Sequence, residues 1–131
     1  MIPTFLGPST IEGAGTGLFA GRAISKGEVI WRFDERIDRL LTVLTVEHLP
    51  QAVRGFVYRY GCQCRDDLWL LCGDNARFVN HAVPGVMACC LGDHFDAEDI
   101  ALRGIDPGEE ITEDYGRFAL DFQRRGFYQE L

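Results

Sequence analysis

Glycine residues divide this chain into short segments, and their spacing limits the elements that it can form. Fifteen glycines are spread over 131 residues, so few stretches between them are long enough for a helix of ordinary length. Short apolar runs bounded by glycine or proline are typical of strands. We therefore expect an α+β fold that is mostly β, built as one domain over residues 1–131.

Four apolar runs have the length of strands. In residues 28–33, apolar side chains occupy alternate positions, as in a strand with one buried face: Val29, Trp31 and Phe33. The other runs are residues 68–72, 86–91 and 100–102. After the last run, Pro107 and Gly108 suit the two central positions of a type II turn. The sequence therefore predicts several short strands joined by tight turns.

One segment, residues 50–60, has the pattern of a helix. Its apolar side chains recur at spacings of three and four residues, which places them on one helix face: Val53, Phe56, Val57 and Tyr60. Pro50 suits the first turn of a helix, and Gly61 suits its C-terminal end. We expect this to be the one short helix of the fold.

A net charge of -7 constrains the partners of the protein. An acidic surface repels phosphate groups, so nucleic acid is not expected as a direct partner. The charge suits a basic peptide rich in lysine and arginine, although solubility alone also explains it. No apolar run is long enough to span a membrane, and the first residues do not resemble a signal peptide, so we expect a cytosolic protein.

Five cysteines lie at positions 62, 64, 72, 89 and 90, and they form no CxxC pair. Their spacing matches no common zinc module, so we expect reduced, partly buried thiols and no metal site. A small redox or metal protein built on these cysteines stays open as an alternative, which a metal assay would decide.

The stretch GAGTGLFAG, residues 13–21, is rich in glycine. Glycine lets a backbone approach a ligand closely and leaves amide groups to bind it. The stretch does not match the dinucleotide-binding fingerprint, because no clear strand precedes it and strand-like sequence follows it. By itself it is also explained by a plain glycine-rich turn.

Two further stretches carry polar side chains next to apolar ones. In NARFVNHA, residues 75–82, Asn80 and His81 follow an apolar pair, and if buried they must be hydrogen-bonded. They either bind a polar ligand or only pin a loop. In GEEITEDYG, residues 108–116, Tyr115 stands at the end of an element. Its hydroxyl group could orient a substrate or transfer a proton, or the ring could only pack.

In this order and at these positions, the three motifs resemble those of the SET-domain family of protein lysine methyltransferases. The resemblance runs from about Ile11 to Gly116 and includes the segments GTGLFA, AISKGEVI, NARFVNHA and IALRGIDPGEEITEDYG. It implies small curved sheets and a C-terminal pseudoknot, in which the Asn-His segment and the tyrosine segment meet. S-adenosylmethionine would enter this meeting point from one face and a lysine side chain from the other.

The resemblance also implies which residues hold the cofactor. These residues are Gly15, Thr16, Gly17, Arg77, Phe78, Asn80 and His81. The backbone of the glycine motif would cradle the methionine end, Asn80 would bind the amino-acid moiety, and the backbone of His81 would meet the adenine. Arg77 and Phe78 would support or line this pocket.

Two residues of the closing segment receive roles from the same resemblance. Tyr115 is the predicted catalytic residue, and its hydroxyl group would lie beside the methyl group that is transferred. Glu110 is a predicted structural partner of the Asn-His segment.

The sequence departs from the family pattern in two places. Ala82 stands where the motif usually continues with serine. No cysteine follows Tyr115, so we do not expect the zinc-binding segment that closes the lysine channel in many members, and the chain resembles the minimal, free-standing members. The aromatic tail, residues 117–131, could pack over the cofactor or only anchor the C-terminus. A partner subunit could also complete the site, as in a homodimer.

The resemblance thus implies an S-adenosylmethionine-dependent protein lysine N-methyltransferase that acts on a lysine-rich protein, histone-like or ribosomal. Its rival is a SET-fold binding module that has lost catalysis. Ala82 and the missing zinc-binding segment favour the rival, whereas Asn80, His81 and Tyr115 together favour the enzyme. The enzyme would be cytoplasmic, or associated with chromatin or the nucleoid if its substrate is there.

Overall fold

The computed structural model describes residues 1–90, 97–117 and 119, with only the backbone of Cys90. Within these residues the chain is mostly β, which confirms the predicted fold class. The strands are β1 (Thr4–Pro8), β2 (Thr16–Ala20), β3 (Val29–Arg32), β4 (Arg39–Thr42), β5 (Cys62–Arg65), β6 (Leu68–Leu71), β7 (Asn80–His81), β8 (Met87–Cys90), β9 (Glu98–Ala101) and β10 (Glu110–Glu113). Most of the predicted aromatic tail lies outside the described residues.

The strands form one large and one small sheet. The large sheet has the order β1-β2-β10-β8-β9-β3, and β7 also pairs with β10. The small sheet has the order β4-β6-β5. All pairs are antiparallel except those of β10 with β7 and β8, which are parallel. Strand β10, from the tyrosine segment, therefore pairs both with β2 of the glycine motif and with β7 of the Asn-His segment.

The described residues contain the predicted α-helix and one more. Helix α2 (Gln51–Tyr60) follows Pro50 and ends at Gly61, whose N–H group donates to the carbonyl oxygen of Val57 at 2.7 Å. The shorter helix α1 (Val43–Glu47) was not predicted, because it is a single turn capped by the side chain of Thr42.

The apolar face predicted for α2 is buried only in part. Val57 is 2% exposed, whereas Val53 is 48% and Phe56 is 43% exposed. A short helix at the edge of a small sheet contacts few neighbours, so the periodicity of its apolar residues overstates their burial.

Three apolar clusters fill the interior. The largest lies between β2, β3, β8, β9 and β10, and its fully buried members include Leu18, Ile30 and Ile111. A second cluster, around Trp31 and Leu70, joins the large sheet to the small one. A third, around Val57 and Trp69, holds the helices against the small sheet. The second cluster adjoins the cavity described below.

The turn at Pro107-Gly108 is present, since Glu109 N–H donates to the carbonyl oxygen of Asp106 at 3.1 Å and Gly108 has a φ of 80°. None of the described helices is long and apolar enough to cross a membrane.

Candidate active site

Strand β10 brings the three sequence motifs together. On one side it pairs with β2 of the glycine motif, with Ile111 opposite Leu18. On the other side it runs parallel to β7, with Thr112 opposite Asn80. The Asn-His segment and the tyrosine segment therefore meet, as the resemblance implied.

The carboxylate of Glu110 ties the N-terminal turn to the Asn-His segment. It accepts hydrogen bonds from the hydroxyl group of Ser9 at 2.7 Å, from the N–H and hydroxyl groups of Thr10 at 2.8 and 2.5 Å, and from Asn80 Nδ2 at 3.2 Å. Burial by itself would raise the pKa of Glu110, but these hydrogen bonds outweigh it and lower the pKa. The predicted contact between Glu110 and the Asn-His segment is confirmed.

The glycine motif lies directly beside this carboxylate. A Cβ atom on Gly17 would be 2.4 Å from Glu110 Oε1 and 3.2 Å from Ser9 Cα, so no other residue fits there without movement. Asn80 Nδ2 also donates to the carbonyl oxygen of Thr16 at 2.9 Å. Gly15 has a φ of 75°, and an added Cβ would meet nothing within 4 Å, so this side of the motif is open.

Tyr115 lies where the tyrosine segment contacts the Asn-His segment. Its backbone N–H group donates to His81 Nδ1 at 3.1 Å, so a neutral His81 ring carries its proton on Nε2. The two ring centroids are 5.5 Å apart. The hydroxyl group of Tyr115 donates to the carbonyl oxygen of Val79. These contacts fix both the backbone and the ring of Tyr115.

Arg77 and Phe78 end the one-turn 3-10 helix Asn75–Phe78 that precedes the Asn-His pair. The guanidinium group of Arg77 lies 4.9 Å from the ring centroid of Phe78 and 6.0 Å from that of Tyr60. Phe78 and Tyr60 pack edge to face at 5.6 Å. The two residues therefore contact the end of α2 as well as the Asn-His segment.

A cavity adjoins Tyr115 on the side of the second apolar cluster. Its walls include three aromatic side chains, those of Trp31, Tyr60 and Tyr115. Apolar and thiol groups line the rest, among them Leu70, Met87 and Cys72. Two acidic residues, Asp99 and Glu113, also line it. Glu113 is 5% exposed and Asp99 is 7% exposed.

The pKa values of the two carboxyl groups in the cavity are raised, whereas the pKa of Glu110 is lowered. Burial raises the pKa of Glu113, and the charge of Asp99 adds to the increase. Burial also raises the pKa of Asp99, which is only partly offset by a hydrogen bond with the thiol of Cys89. These groups retain protons at a pH where an exposed carboxyl group has lost them.

Cys64, Cys72 and Cys89 are free thiols. Burial raises the pKa of Cys64, Cys72 and Cys89, so these thiols stay protonated at neutral pH and are poor nucleophiles. Among the residues that the structure describes, no group of three His, Cys, Asp or Glu side chains is arranged to hold a metal ion. The thiols line an apolar wall and do not indicate redox chemistry.

The sequence prediction missed Asp99, Glu113 and Trp31 as residues of the site. A signal for the two acids was present in the strand pattern, because residues two apart share a face. Glu113 shares a face with the buried Ile111, and Asp99 shares one with Ala97 and Ala101, which are both buried. An acidic residue on the buried face of a strand is a candidate functional group.

The SET domain family model matches residues 15–116, so this chain belongs to the SET domain family. A comparison with curated proteins gives no match.

Solved structures with a similar fold include parts of Polycomb Repressive Complex 2. Apo ctPRC2 with two substitutions in Ezh2 has a TM-score of 0.72 and 23% identity over 95% of this chain and 16% of that one. The Chaetomium thermophilum complex bound to GSK126 has a TM-score of 0.71 and 22% identity, over 97% and 17%. An autoinhibited ctPRC2 bound to S-adenosylmethionine has a TM-score of 0.69 and 21% identity, over 98% and 17%. The chain thus spans about a sixth of the length of these proteins.

Proposed function

We propose that this protein is an S-adenosylmethionine-dependent protein lysine N-methyltransferase. The observation that carries the proposal is the convergence on β10. This strand lies between an open glycine motif and the cavity, and Tyr115 follows it after one residue. The family match and the similar structure that contains S-adenosylmethionine support it.

The residues of the glycine motif fit such a cofactor. Gly15 and Thr16 are exposed, and the space beside Gly15 is empty, so a ligand can reach their backbone, whereas Gly17 is buried beside Glu110. Asn80 is held next to this backbone by its bond to Thr16. We infer that these residues, with the backbone of His81, bind the cofactor, and that Arg77 and Phe78 support them.

Methyl transfer needs an electrophilic carbon and a neutral amine. When bound, S-adenosylmethionine supplies a methyl group on a positively charged sulfur. A lysine ammonium group has a pKa of about 10.4 in water, and burial in the cavity lowers it. Tyr115, fixed by His81 and Val79, would orient the amine from the wall of the cavity.

The acidic surface supports a basic protein substrate, rich in lysine and histone-like or ribosomal. We place the protein in the cytoplasm, or with chromatin or the nucleoid if its substrate is bound there. A homodimer could complete the site. Light scattering during size-exclusion chromatography tests this state, and a monomer at assay concentration would contradict it.

The experiment is transfer of a radiolabelled methyl group from S-adenosylmethionine to a panel of histones and lysine-rich proteins. We expect label on lysine with the wild type, loss of label with Asn80→Ala, and a lower rate with Tyr115→Phe. Tyr58→Phe is the matched control, because Tyr58 packs on Trp69 in another cluster. If neither transfer nor calorimetric binding of the cofactor is seen, the result favours the alternative of a binding module that has lost catalysis.

A further inference from the structure

Several buried polar atoms of the described residues have no hydrogen-bond partner, and their residues line one cavity. Among the described residues, three buried side-chain atoms have no hydrogen-bond partner: Trp31 Nε1, Arg77 Nε and Glu113 Oε1. All three residues line the cavity beside Tyr115. Because buried polar groups in folded proteins are nearly always paired, such a concentration indicates a site that a ligand completes.

Glu113 is the most informative of the three. Its side chain is buried, and one carboxyl oxygen faces the cavity without a donor. Asp99, on the neighbouring wall, adds a second buried carboxyl group. Two carboxyl groups that share an apolar site favour the binding of a cation. Its charge offsets the cost of ionising buried carboxyl groups that lie close to each other.

The one positive side chain among the residues that line this cavity does not neutralise them. Arg77 lies over the rings of Phe78 and Tyr60. In the described part of the chain, no ion pair within 4.0 Å joins Arg77 to Asp99 or Glu113. The acidic end of the cavity is therefore available to a cation from outside.

We propose that the carboxylate form of Glu113 binds the ammonium group of the substrate side chain and accepts its proton, an inference that rests on the proposed function. The proton that Glu113 holds in the absence of a cation passes to solvent as the cation enters. The N–H bond of the ammonium breaks, its electron pair stays on nitrogen as the lone pair, and the proton bonds to Glu113 Oε1. The products are a neutral amine and a neutral carboxylic acid. The nitrogen lone pair is then free to attack.

This role makes Glu113 a determinant of specificity. A neutral side chain of similar length would leave the carboxyl group buried and unpaired. A guanidinium group could pair with it but would keep its proton, because arginine is not deprotonated in proteins. The aromatic walls Trp31, Tyr60 and Tyr115 favour a cation next to their rings. The cavity thus selects an amine that can be deprotonated.

The test uses n-butylammonium as an analogue of the lysine side chain and observes the tryptophan indole N–H signals by NMR. The chain has two tryptophans: Trp31 lines the cavity, whereas Trp69 packs in the third cluster and reports on folding. We expect n-butylammonium to shift the Trp31 signal saturably in the wild type. In Glu113→Gln the affinity should fall at least tenfold while the Trp69 signal stays in place.

Two controls complete the design. Glu47→Gln removes the same charge from an exposed site at the end of α1 and should bind n-butylammonium like the wild type. The neutral analogue n-butanol should bind more weakly than n-butylammonium and should not distinguish the wild type from Glu113→Gln. Absence of a Trp31 shift in the wild type, or equal affinity for n-butylammonium in Glu113→Gln, overturns the proposal.

The outcome is separable from that of the methyl-transfer assay. If lysine is methylated but the affinity for n-butylammonium does not depend on Glu113, only the proposed role of Glu113 is contradicted. Binding that depends on Glu113, without methyl transfer to the panel and without calorimetric binding of the cofactor, would support the cation site and contradict the proposed function.

Discussion

Glu110 and Glu113 lie on one four-residue strand, are both buried, and have opposite surroundings. Glu110 accepts four hydrogen bonds and its pKa is lowered. Glu113 has an unpaired oxygen and its pKa is raised. Their separation of three residues places them on opposite faces of the strand. The paired carboxylate holds the fold together, whereas the unpaired one is available for a ligand.

The largest effect should follow loss of the paired carboxylate. In Glu110→Gln, an amide replaces an ion that accepts four hydrogen bonds, so the donors of Ser9 and Thr10 keep only one of the two acceptor oxygens. We expect the free energy of unfolding to fall by about 3 kcal/mol in urea titrations at pH 7. A loss no greater than that of Glu47→Gln would contradict a structural role for Glu110.

Crowding the same carboxylate should have the next largest effect. A methyl group on Gly17 would contact Glu110 Oε1 at 2.4 Å, so Gly17→Ala should destabilise the protein by about 2 kcal/mol. Gly55→Ala is the matched control in α2, where an added Cβ meets nothing within 4 Å. That variant should gain up to about 1 kcal/mol in stability from its helix propensity. Equal effects of the two changes would contradict the close contact at Gly17.

The unpaired carboxyl group of Glu113 should make the free energy of unfolding depend on pH in the opposite direction to the paired carboxylate of Glu110. Because the pKa of Glu113 is raised in the folded state, the folded protein keeps a proton that the unfolded chain releases above about pH 4.3. Its stabilising contribution is therefore complete at low pH and is lost as the pH rises towards the folded-state pKa. Asp99 acts in the same direction. Near Glu113 lie Asp114 on its own segment, Cys89 on β8 and Arg77 on the cavity wall.

Substitution of Glu113 should remove much of this dependence. Glu113→Gln should be more stable than the wild type at pH 8, by about 1 kcal/mol, and closer to it at pH 5. Urea midpoints measured across this range test the sign. If the wild type and Glu113→Gln have parallel pH profiles, Glu113 does not titrate as its burial implies.

The smallest effect is expected at Glu109, next to Glu110 on the surface. Its carboxylate pairs with Arg103 at 2.5 Å, and both side chains are in contact with solvent. Glu109→Gln should leave the free energy of unfolding within about 0.5 kcal/mol of the wild type, with any difference reduced by salt. A loss comparable to that of Glu110→Gln would mean that hydrogen-bond pairing and burial do not explain the contrast along this segment.

The sequence predicted the fold class and the helix α2. Its resemblance to the SET-domain family also predicted that Asn80, His81 and Tyr115 lie at one meeting point. These features depend on local patterns and on motifs of fixed spacing. The sequence did not reveal the hydrogen bonds of Ser9 and Thr10, because they lie about 100 residues from Glu110. Nor did it separate Glu110 from Glu113, since the difference depends on which groups face each side of β10.

The most direct test compares both carboxyl groups in one sample. Carbon-13 NMR of the glutamate side chains, assigned with the two Gln variants, measures each pKa with and without n-butylammonium. We predict that Glu110 titrates below the ordinary value of about 4.3 and ignores the cation. Glu113 should titrate well above it, and its pKa should fall when the cation binds. If the two groups titrate together near 4.3, or if n-butylammonium leaves Glu113 unchanged, the assignment of separate roles is wrong.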